Sequence, residues 1–408
     1  MLSFEEALAR ILALGAPVLP AETTPIDDID GRILGEDIVS GVDLPRFDYS
    51  AMDGYAVATR DLDALPARLP VVGESRTGVV ADALTPGSTM RIFTGAGVPA
   101  GADAVVMQEN VTRDGDVAVF TQRPRIGHHI RTRGEDLRAG ATAIARGTRL
   151  RPSHLALCAA LDLSAVAVAR RPEVAILATG DELRRPGTDA VPGSIPESNT
   201  VVLRAMARRA GARAKALPYV RDDRAATERA FATALDEADV LVTIGGVSVG
   251  DHDLVRPALA AVGVELEFWR VAIKPGKPLA IGRLARKGRR DAIVVGLPGN
   301  PASAMVTFAL FGCPLLRAMQ GEAHPFPTAR RARMTRAHAH DPGRLEFARA
   351  TLGQTDDGHL AVTTLGNQAS GAVTSMAHSD ALVLIPADAS GIPAGAEVDV
   401  LHMTDLTT

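Results

Sequence analysis

Residues 239–253, DVLVTIGGVSVGDHD, begin with an apolar run and end in a glycine-rich turn with two aspartates. A short apolar run that stops at a turn is typical of a buried strand in a parallel sheet. A helical pattern follows this turn, and the same alternation extends on both sides of it. Strands alternating with helices of 10–15 residues predict a parallel sheet with helices on both faces. We predict strands at 174–178, 216–220, 239–244 and 292–296, and helices around 199–211, 223–238, 253–263 and 299–319.

The flanking sequence has a different texture and predicts further domains. From Leu44 to about Gly147, short apolar runs separated by Gly, Pro and Asp predict a β-rich region. Ser3 and Glu6 form a capping-box pattern at the start of an N-terminal helix. The predicted fold class is therefore an α/β multidomain protein with four domains: a small N-terminal helical/mixed domain (1–44 with 140–170), a β-rich domain (45–139), a parallel α/β domain (171–320) and a C-terminal β-domain (327–408).

Composition excludes several classes of protein. The 408 residues are 46% hydrophobic and 23% charged, which excludes a disordered chain, a coiled coil and a fibre. A net charge of −4 and only 3% aromatic residues argue against a nucleic-acid partner. The two cysteines, Cys158 and Cys313, allow neither a disulfide framework nor a CxxC metal site. No apolar run approaches the roughly 18 residues of a membrane span, and Glu5 and Glu6 argue against export. We therefore expect a cytoplasmic protein with no membrane partner.

Two strand-end loops carry carboxylates where a ligand of the sheet binds. The first, 179-TGDEL, presents Asp181 and Glu182. The alternative is an ordinary helix N-terminus, where acidic residues are stabilised by the helix dipole. In the second, Gly245 and Gly246 allow close approach of the backbone, and Ser248 with nearby N–H groups predicts a phosphate cradle. Its spacing matches neither the dinucleotide nor the P-loop fingerprint. Acids beside such a cradle, here Asp251 and Asp253, indicate a divalent cation that bridges phosphate oxygens.

Two further segments predict anion binding. In 296-GLPGNPAS, Asn300 suits an N-cap and Pro301 a first helical turn, so the exposed N–H groups and Ser303 predict an anion site. In 270-RVAIKPGKP lie Lys274 and Lys277, two of the four lysines of the chain. Prolines stiffen this loop, so both ammonium groups would be aimed as point charges. A capped helix and a solvated loop are the plainer alternatives.

The β-rich region adds polar residues but no covalent chemistry. The stretch 128-HHIRTRGEDL gathers arginines and acids, and a surface salt-bridge cluster would have the same composition. Adjacent histidines such as His128 and His129 are weak metal ligands, and we exclude them. The sequence has no GxSxG motif and no evident Cys/His pair. The residues together predict an enzyme that handles phosphate or oxyanions with Mg²⁺.

Eight motifs in series resemble the molybdopterin molybdenumtransferase family, to which the C-terminal domain of gephyrin belongs. The resemblance covers nearly the whole chain. The segments that carry it are 45-PRFDYSAMDGYAV, 91-RIFTGAGVPAGADAVVMQE, 130-IRTRGEDL, 179-TGDEL, 243-TIGGVSVGDHD, 272-AIKPGKPLAIG, 296-GLPGNPASA and 366-GNQASG.

The resemblance implies a function in molybdenum cofactor biosynthesis. Members of the family insert molybdate into adenylylated molybdopterin and release AMP, with Mg²⁺. They are elongated homodimers, with the active site between the α/β domain of one subunit and the β-rich domain of the other. A molybdopterin adenylyltransferase and molybdoenzymes are candidate partners. A non-catalytic scaffold or carrier of molybdopterin is the alternative; it would be favoured by loss of the acids or of the lysines, which are present.

The resemblance also marks individual site residues. The implied catalytic residues are Asp53, Thr94, Arg131, Asp136, Glu182, Asp222, Asp253, Lys274 and Lys277, of which Asp53, Glu182 and Asp253 would handle Mg²⁺ or the attacking oxygen. The implied substrate-binding residues are Gly245, Gly246, Ser248, Pro298, Gly299, Asn300, Ser303, Arg344 and Ser370. The chain departs from the family pattern at Tyr49, His129, Glu197 and Arg270. Tyr49 is larger than the usual Asn and affects the expected geometry near Asp53.

Overall fold

The structure is a computed structural model that describes residues 1–16, 18–246 and 254–407. Its α/β domain contains a sheet of six strands within these residues. Four neighbouring strands run parallel, and the sheet ends in an antiparallel pair. In spatial order the strands are Arg213–Ala216, Glu173–Ala178, Val240–Ile244, Ala292–Leu297, Pro278–Leu284 and Glu265–Arg270.

Helices cover both faces of this sheet because successive strand residues point to opposite sides. Val174, Ile176 and Ala178 belong to the larger core, whereas Ala175 and Leu177 belong to the core on the other face. The larger core is covered by Phe4–Gly15, Asn199–Arg209 and the helical run Pro301–Met319; Arg224–Glu237 and Val255–Ala261 cover the other face.

Two strands differ from the predicted ones. We predicted a strand at 216–220, but the strand is Arg213–Ala216 and only Val220 makes a later bridge, to Thr179. Pro218 has no N–H to donate, which explains why the pairing stops. The antiparallel pair Glu265–Arg270 and Pro278–Leu284 was not predicted. Its outer strand alternates poorly, since Glu265, Leu266 and Glu267 are all exposed at the sheet edge.

The helical run Pro301–Met319 is long and apolar enough to cross a membrane by length and composition, contrary to our expectation. It is nevertheless 89% buried inside the protein, where it belongs to the larger core. Its middle, Phe308–Gly312, is a single π-helical turn in which the Cys313 N–H donates to the carbonyl of Phe308. Pro314 explains this turn, because its ring and missing N–H disrupt the regular helical ladder.

The β-rich domain contains a second mixed sheet, also six-stranded among the described residues. Gly54 lies where a side chain cannot fit, since a Cβ would sit 2.1 Å from the carbonyl oxygen of Val106. The strands, in spatial order, are Ala104–Met107, Gly54–Val57, Thr89–Ile92, Ala67–Ser75, Val117–Phe120 and Val111–Asp114. Short pairs and 3-10 turns complete the domain: Tyr49–Ser50 with Ile130–Arg131, Thr59–Leu62 and Gln108–Asn110.

The N-terminal segment is shared between two cores. The helix Phe4–Gly15 has the predicted capping box, in which Ser3 and Glu6 satisfy each other's backbone N–H groups. This helix packs on the α/β domain. The remainder forms a smaller core with the segment before the α/β domain. Its elements are Ala21–Pro25 paired with Ala165–Ala169, Ile38–Val39 paired with Thr142–Ile144, Ile26–Asp28 and the helix Pro152–Ala160.

The C-terminal domain is a closed barrel, since Leu345–Gln354 pairs on both sides and returns the sheet to itself. Closure leaves the sheet without a free edge. In spatial order its strands are Leu345–Gln354, Leu360–Thr364, Arg330–Met334, Glu397–His402 and Ala381–Ile385. The pair His338–Ala339 with Gly391–Ile392 and the helices Val373–Ala377 and Met403–Thr407 lie outside it.

Four phenylalanines join the domains. The ring of Phe4 lies 5.5 Å from that of Phe311 in the core helix, 5.7 Å from Phe326 in the linker and 5.0 Å from Phe347 in the barrel. Tilted and edge-on aromatic pairs at such distances are favourable. The cluster therefore connects the N-terminal helix, the α/β domain and the barrel.

We expect Phe347→Ala to lower the free energy of unfolding by about 3–5 kcal/mol, because Phe347 is fully buried and the change leaves a cavity. Urea unfolding followed by circular dichroism measures this. Phe47→Ala is the matched control, since 55% of Phe47 is exposed and its loss should cost less than about 0.5 kcal/mol. Equal losses of unfolding free energy in the two variants would contradict the proposed role of the phenylalanine cluster in connecting the domains.

Candidate functional site

A cavity of about 580 Å³ lies at the carboxyl ends of the parallel strands. Its walls come from the loops after Glu173–Ala178, Val240–Ile244 and Ala292–Leu297, and Val373 of the C-terminal domain completes them. This is the edge at which the sequence predicted a ligand site. Predicted residues in the lining are Glu182, Asp222, Gly245, Gly246, Gly299 and Asn300.

The glycine turn that lines the cavity strongly disfavours any other residue. Gly245 and Gly246 have φ angles of +90° and +60°, a region that L-residues rarely adopt. A Cβ on Gly245 would lie 3.0 Å from the carbonyl oxygen of Thr179, and one on Gly246 would lie 2.6 Å from Val255. The backbone is thus open to a ligand in the way a phosphate cradle requires. Ser248, Asp251 and Asp253, also predicted here, lie outside the described residues.

Carboxylates also line the cavity. Glu182 and Asp222 line the cavity, and the Asp222 N–H donates to Asp181 at 3.2 Å, which joins two strand-end loops. Gly180 permits the turn, because a Cβ there would meet the Glu182 carboxylate at 2.5 Å. Glu182 and Asp222 therefore both line the cavity.

Glu197 and Asn199 also line the cavity, although neither was predicted as a site residue. The buried Glu197 carboxylate accepts hydrogen bonds from the Thr200 N–H and hydroxyl at the start of a helix. Asn199 donates to the Gly299 carbonyl at 2.8 Å, and its own Oδ1 is buried without a partner. Both types suit helix starts, so the sequence offered no signal for a role in the cavity wall.

The helix N-terminus at Asn300 is capped by the C-terminal domain. The carbonyl of Ser370 accepts from the N–H groups of Ala302 and Ser303, and Asn300 donates to the Ser370 hydroxyl at 3.0 Å. Our prediction that these N–H groups are open to an anion is therefore wrong for Ala302 and Ser303. Asn300 and Ser370 do lie together, and Ser303 is buried beside them. Direct substrate contacts of Pro298, Gly299 and Ser303 stay predictions.

Arg349 holds the loop that carries Ser370, and sequence analysis missed it. Its fully buried guanidinium donates to the carbonyls of Asn367 and Ala369 and to the Gln368 side chain. Burial lowers the pKa of Arg349, opposed by the nearby Glu346 carboxylate. The available signal was a pair of opposite charges, Glu346 and Arg349, within the otherwise mostly apolar stretch 345-LEFARATL.

Lys274 is bound to a buried carboxylate of the barrel. Its ammonium nitrogen lies 3.2 and 3.3 Å from the two oxygens of Glu346, which also contacts His340 Nδ1 at 2.6 Å. Burial raises the pKa of Glu346, but the nearby His338 at 3.7 Å, the hydrogen bond with His340 and the charge of Lys274 outweigh it, so that the pKa falls to about 2. Lys274 is thus a cation held by a protein carboxylate, and its predicted contact with an anionic ligand stays a prediction.

The other basic residues of this region differ. Lys277 is exposed, and its ammonium forms no hydrogen bond or ion pair with the described residues. Arg344 donates to the carbonyl of Ile273 at 3.4 Å. Gly276 packs on the core helix, since a Cβ there would lie 2.4 Å from the Thr307 hydroxyl. Thr307 is six residues beyond Pro301, or about 9 Å along the helix that begins at the cavity.

The predicted residues of the β-rich domain form a separate group. Asp53 accepts from the Thr94 N–H at 2.7 Å and from its hydroxyl at 3.1 Å, which lowers the pKa of Asp53. Arg131 pairs with Glu135 at 2.8 Å. Asp136 is exposed in the same loop. Neither these residues nor Thr94 is among the described residues that line the cavity within one chain.

The cysteines and the acids limit the available chemistry. Cys158 and Cys313 are free and buried, and burial raises the pKa of the Cys313 thiol to about 12, so it is not a nucleophile. In residues 1–16, 18–246 and 254–407, no three side chains of His, Cys, Asp or Glu come together as a metal site. The cavity instead offers Glu182 and Asp222, and a cation held by two carboxylates would need ligands from a substrate.

Three protein-family models match the chain in succession. They are "MoeA N-terminal region (domain I and II)" at residues 2–161, "Probable molybdopterin binding domain" at 175–318 and "MoeA C-terminal region (domain IV)" at 331–403. The second of these contains the glycine turn and the lysine loop.

Curated relatives are similar over nearly the whole length. The chain is 35% identical to a molybdopterin molybdenumtransferase of Haemophilus influenzae, with 98% of both chains covered. It is 38% identical to molybdopterin molybdenumtransferase 2 of Mycobacterium tuberculosis, with 94% of this chain and 95% of that one covered.

A solved structure has the same arrangement of domains. The molybdopterin biosynthesis moeA protein from Pyrococcus horikoshii OT3 matches with a TM-score of 0.84 at 28% identity, covering 98% of this chain and 99% of that one. The predicted fold class, with its N-terminal, β-rich, α/β and C-terminal β parts, is confirmed.

The depressed pKa of Glu346 has a consequence for stability. Because the folded-state pKa of about 2 lies below the ordinary value of 4.5, ionised Glu346 stabilises the fold above pH 4.5, and this is lost as the pH falls toward 2. We expect Glu346→Gln to cost about 3 kcal/mol at pH 7, and the difference from wild type to shrink below pH 4.5. Urea unfolding from pH 7 to pH 3 measures it. Glu265→Gln, at an exposed edge, is the control; a pH-independent difference for Glu346→Gln would refute the assignment.

Proposed function

The chain belongs to the molybdopterin molybdenumtransferase family, and on this premise we propose that it inserts molybdenum from molybdate into adenylylated molybdopterin, with release of AMP. It is a transferase of molybdenum cofactor biosynthesis. The observation that supports the finer proposal is the cavity in the molybdopterin-binding region, where a side-chain-free glycine turn faces two carboxylates. Such a site suits a substrate that carries phosphate groups.

The proposed roles follow the chemistry of each group. Gly245 and Gly246 would let the molybdopterin phosphate approach the backbone closely, together with Ser248. Lys274 and Lys277 are cations for molybdate or for the anhydride, both of which are anionic. Asn300 and Ser370 form the wall nearest the capped helix. The lining carboxylates Glu182 and Asp222 would orient the attacking oxygen or the cation that accompanies the anhydride.

The residues fit a magnesium ion. Mg²⁺ prefers oxygen ligands and is commonly held by one or two carboxylates together with substrate phosphates and water. Glu182 and Asp222 supply that number at the cavity, with Asp253 of the following turn as a further candidate. When bound, the ion would neutralise charge on the phosphoanhydride. We propose that AMP release requires it.

We propose that the active site is completed by a second subunit of a homodimer. Asp53, Thr94, Arg131 and Asp136 do not line the cavity of their own chain. Asp53 is held by Thr94 in an exposed position, so it is free to face another molecule. As an acid of a second subunit, it would join Glu182 at the cation or the attacking oxygen.

The cellular setting is also a proposal. Buried free cysteines suit a reducing cytoplasm. A molybdopterin adenylyltransferase would supply the substrate, and molybdoenzymes would receive the product. We propose no nucleic-acid or membrane partner.

The deciding experiment follows AMP release from adenylylated molybdopterin by purified protein. With Mg²⁺ and molybdate we expect AMP and molybdenum cofactor, and without molybdate or after removal of Mg²⁺ we expect little AMP. Tight binding of molybdopterin without turnover would favour the carrier alternative. Absence of binding would exclude the proposed substrate.

Subunit mixing tests the shared site. Asp53→Ala and Glu182→Gln should each abolish molybdate-dependent AMP release, because each removes a carboxylate from every site. The two variants are then mixed in equal amounts under conditions that exchange subunits without unfolding them. We expect about a quarter of wild-type activity, because half of the dimers then hold one intact site of two. Glu182→Gln mixed with Asp222→Asn is the matched control and should stay inactive. No recovery in the first mixture, despite proven exchange, would contradict a site shared between subunits.

A further inference from the structure

The lysine loop is fixed to the C-terminal barrel through its backbone. The short strand Ile273–Lys274 pairs in parallel with the start of Leu345–Gln354. The Leu345 N–H donates to the carbonyl of Ala272 at 3.1 Å. The barrel is thus a template for the position of this loop in the neighbouring α/β domain.

The side chains repeat this connection with charge. Glu346 is 2% exposed and contacts Lys274 with both oxygens. His340 has a side chain with no exposed area and contacts the same carboxylate through Nδ1. With Glu346 ionised, the His340 Nδ1–H donates to it, and the buried Nε2 has no partner among the described residues. His340 therefore helps to fix the orientation of the carboxylate.

The ammonium of Lys274 keeps a free donor. Lysine has three N–H donors, and the two oxygens of Glu346 account for two of them. The Lys274 side chain is 35% exposed, so the remaining donor is open to a ligand. Lys277, three positions on, has no such support. The two lysines of one motif therefore differ, one being held in place and the other free to move.

We propose that Glu346, oriented by His340, is a positioning residue that aims the Lys274 ammonium at the anionic substrate. The inference rests on the proposed function of the lysine loop. Loss of one partner of a buried ion pair is costly, but apolar side chains in place of both partners are often equally stabilising, so stability alone is a weak reason for this pair. A lysine side chain that Glu346 already holds at its end loses less side-chain entropy when it binds an anion than a free lysine side chain would.

Kinetics of double variants test whether Glu346 acts through Lys274. Loss of a group that orients a metal-binding side chain typically lowers affinity or activity by about 10- to 100-fold. By analogy, we expect Glu346→Gln to lower kcat/KM for molybdate by about 10- to 100-fold. In a Lys274→Met background the same substitution should change kcat/KM by less than about twofold, because no ammonium remains to be positioned. In the matched Lys277→Met background the full loss should persist. Equal losses in both backgrounds would overturn the proposal, and circular dichroism of each variant checks that it is folded.

Amine labelling gives a second measurement that needs no activity. The chain has four lysines, so acetylation by an N-hydroxysuccinimide ester can be followed at each by peptide mass spectrometry. Glu346→Gln and His340→Ala should raise labelling at Lys274 and leave Lys215 and Lys287 unchanged. Unchanged labelling at Lys274 would overturn the proposal. If wild type releases no AMP, the proposed function fails while this measurement still decides the positioning of Lys274.

Discussion

The capping of one buried helix by a loop from another domain determines the candidate site. Pro301–Met319 fills the larger core of the α/β domain, and its first turn forms one wall of the cavity. Its leading N–H groups, those of Ala302 and Ser303, donate to the carbonyl of Ser370. An uncapped helix end in this interior would leave polar groups unpaired, at a cost of about 1–3 kcal/mol each. The barrel loop is therefore necessary for the helix and for the wall.

Three contacts reinforce this arrangement by different physical means, two of them between domains and the third, made by Arg349, within the barrel. The phenylalanine cluster around Phe4 is apolar, the Lys274–Glu346 contact is ionic, and the Arg349 contacts are hydrogen bonds to backbone carbonyls. All three involve the single barrel strand Leu345–Gln354. One strand thus contributes to domain docking, to the lysine loop and to the loop that carries Ser370.

Sequence patterns predicted the features that depend on local order. Apolar runs predicted the alternation of strands and helices, and capping residues predicted the N-terminal capping box. Glycine turns and strand-end acids predicted the cavity edge with Glu182 and Gly245. They could not give the Ser370 cap, because 70 residues separate Asn300 from its partner. Glu346 and Arg349 were missed for the same reason, since a charged residue in a strand shows its role only once its distant partners are in place. The antiparallel edge pair was missed because its exposed outer strand lacks alternation.

The barrel loop held by Arg349 also limits how such proteins can be recombined. Residues 367–370 belong to the barrel by sequence but complete a helix that belongs to the α/β domain. A chimera that joins this α/β domain to a relative's barrel would thus keep the helix start but replace the loop that is hydrogen-bonded to it. Successful transplants should carry the arginine, the loop and the helix start together. Between these two domains, the smallest exchangeable module is set by shared backbone bonding and crosses the apparent domain boundary.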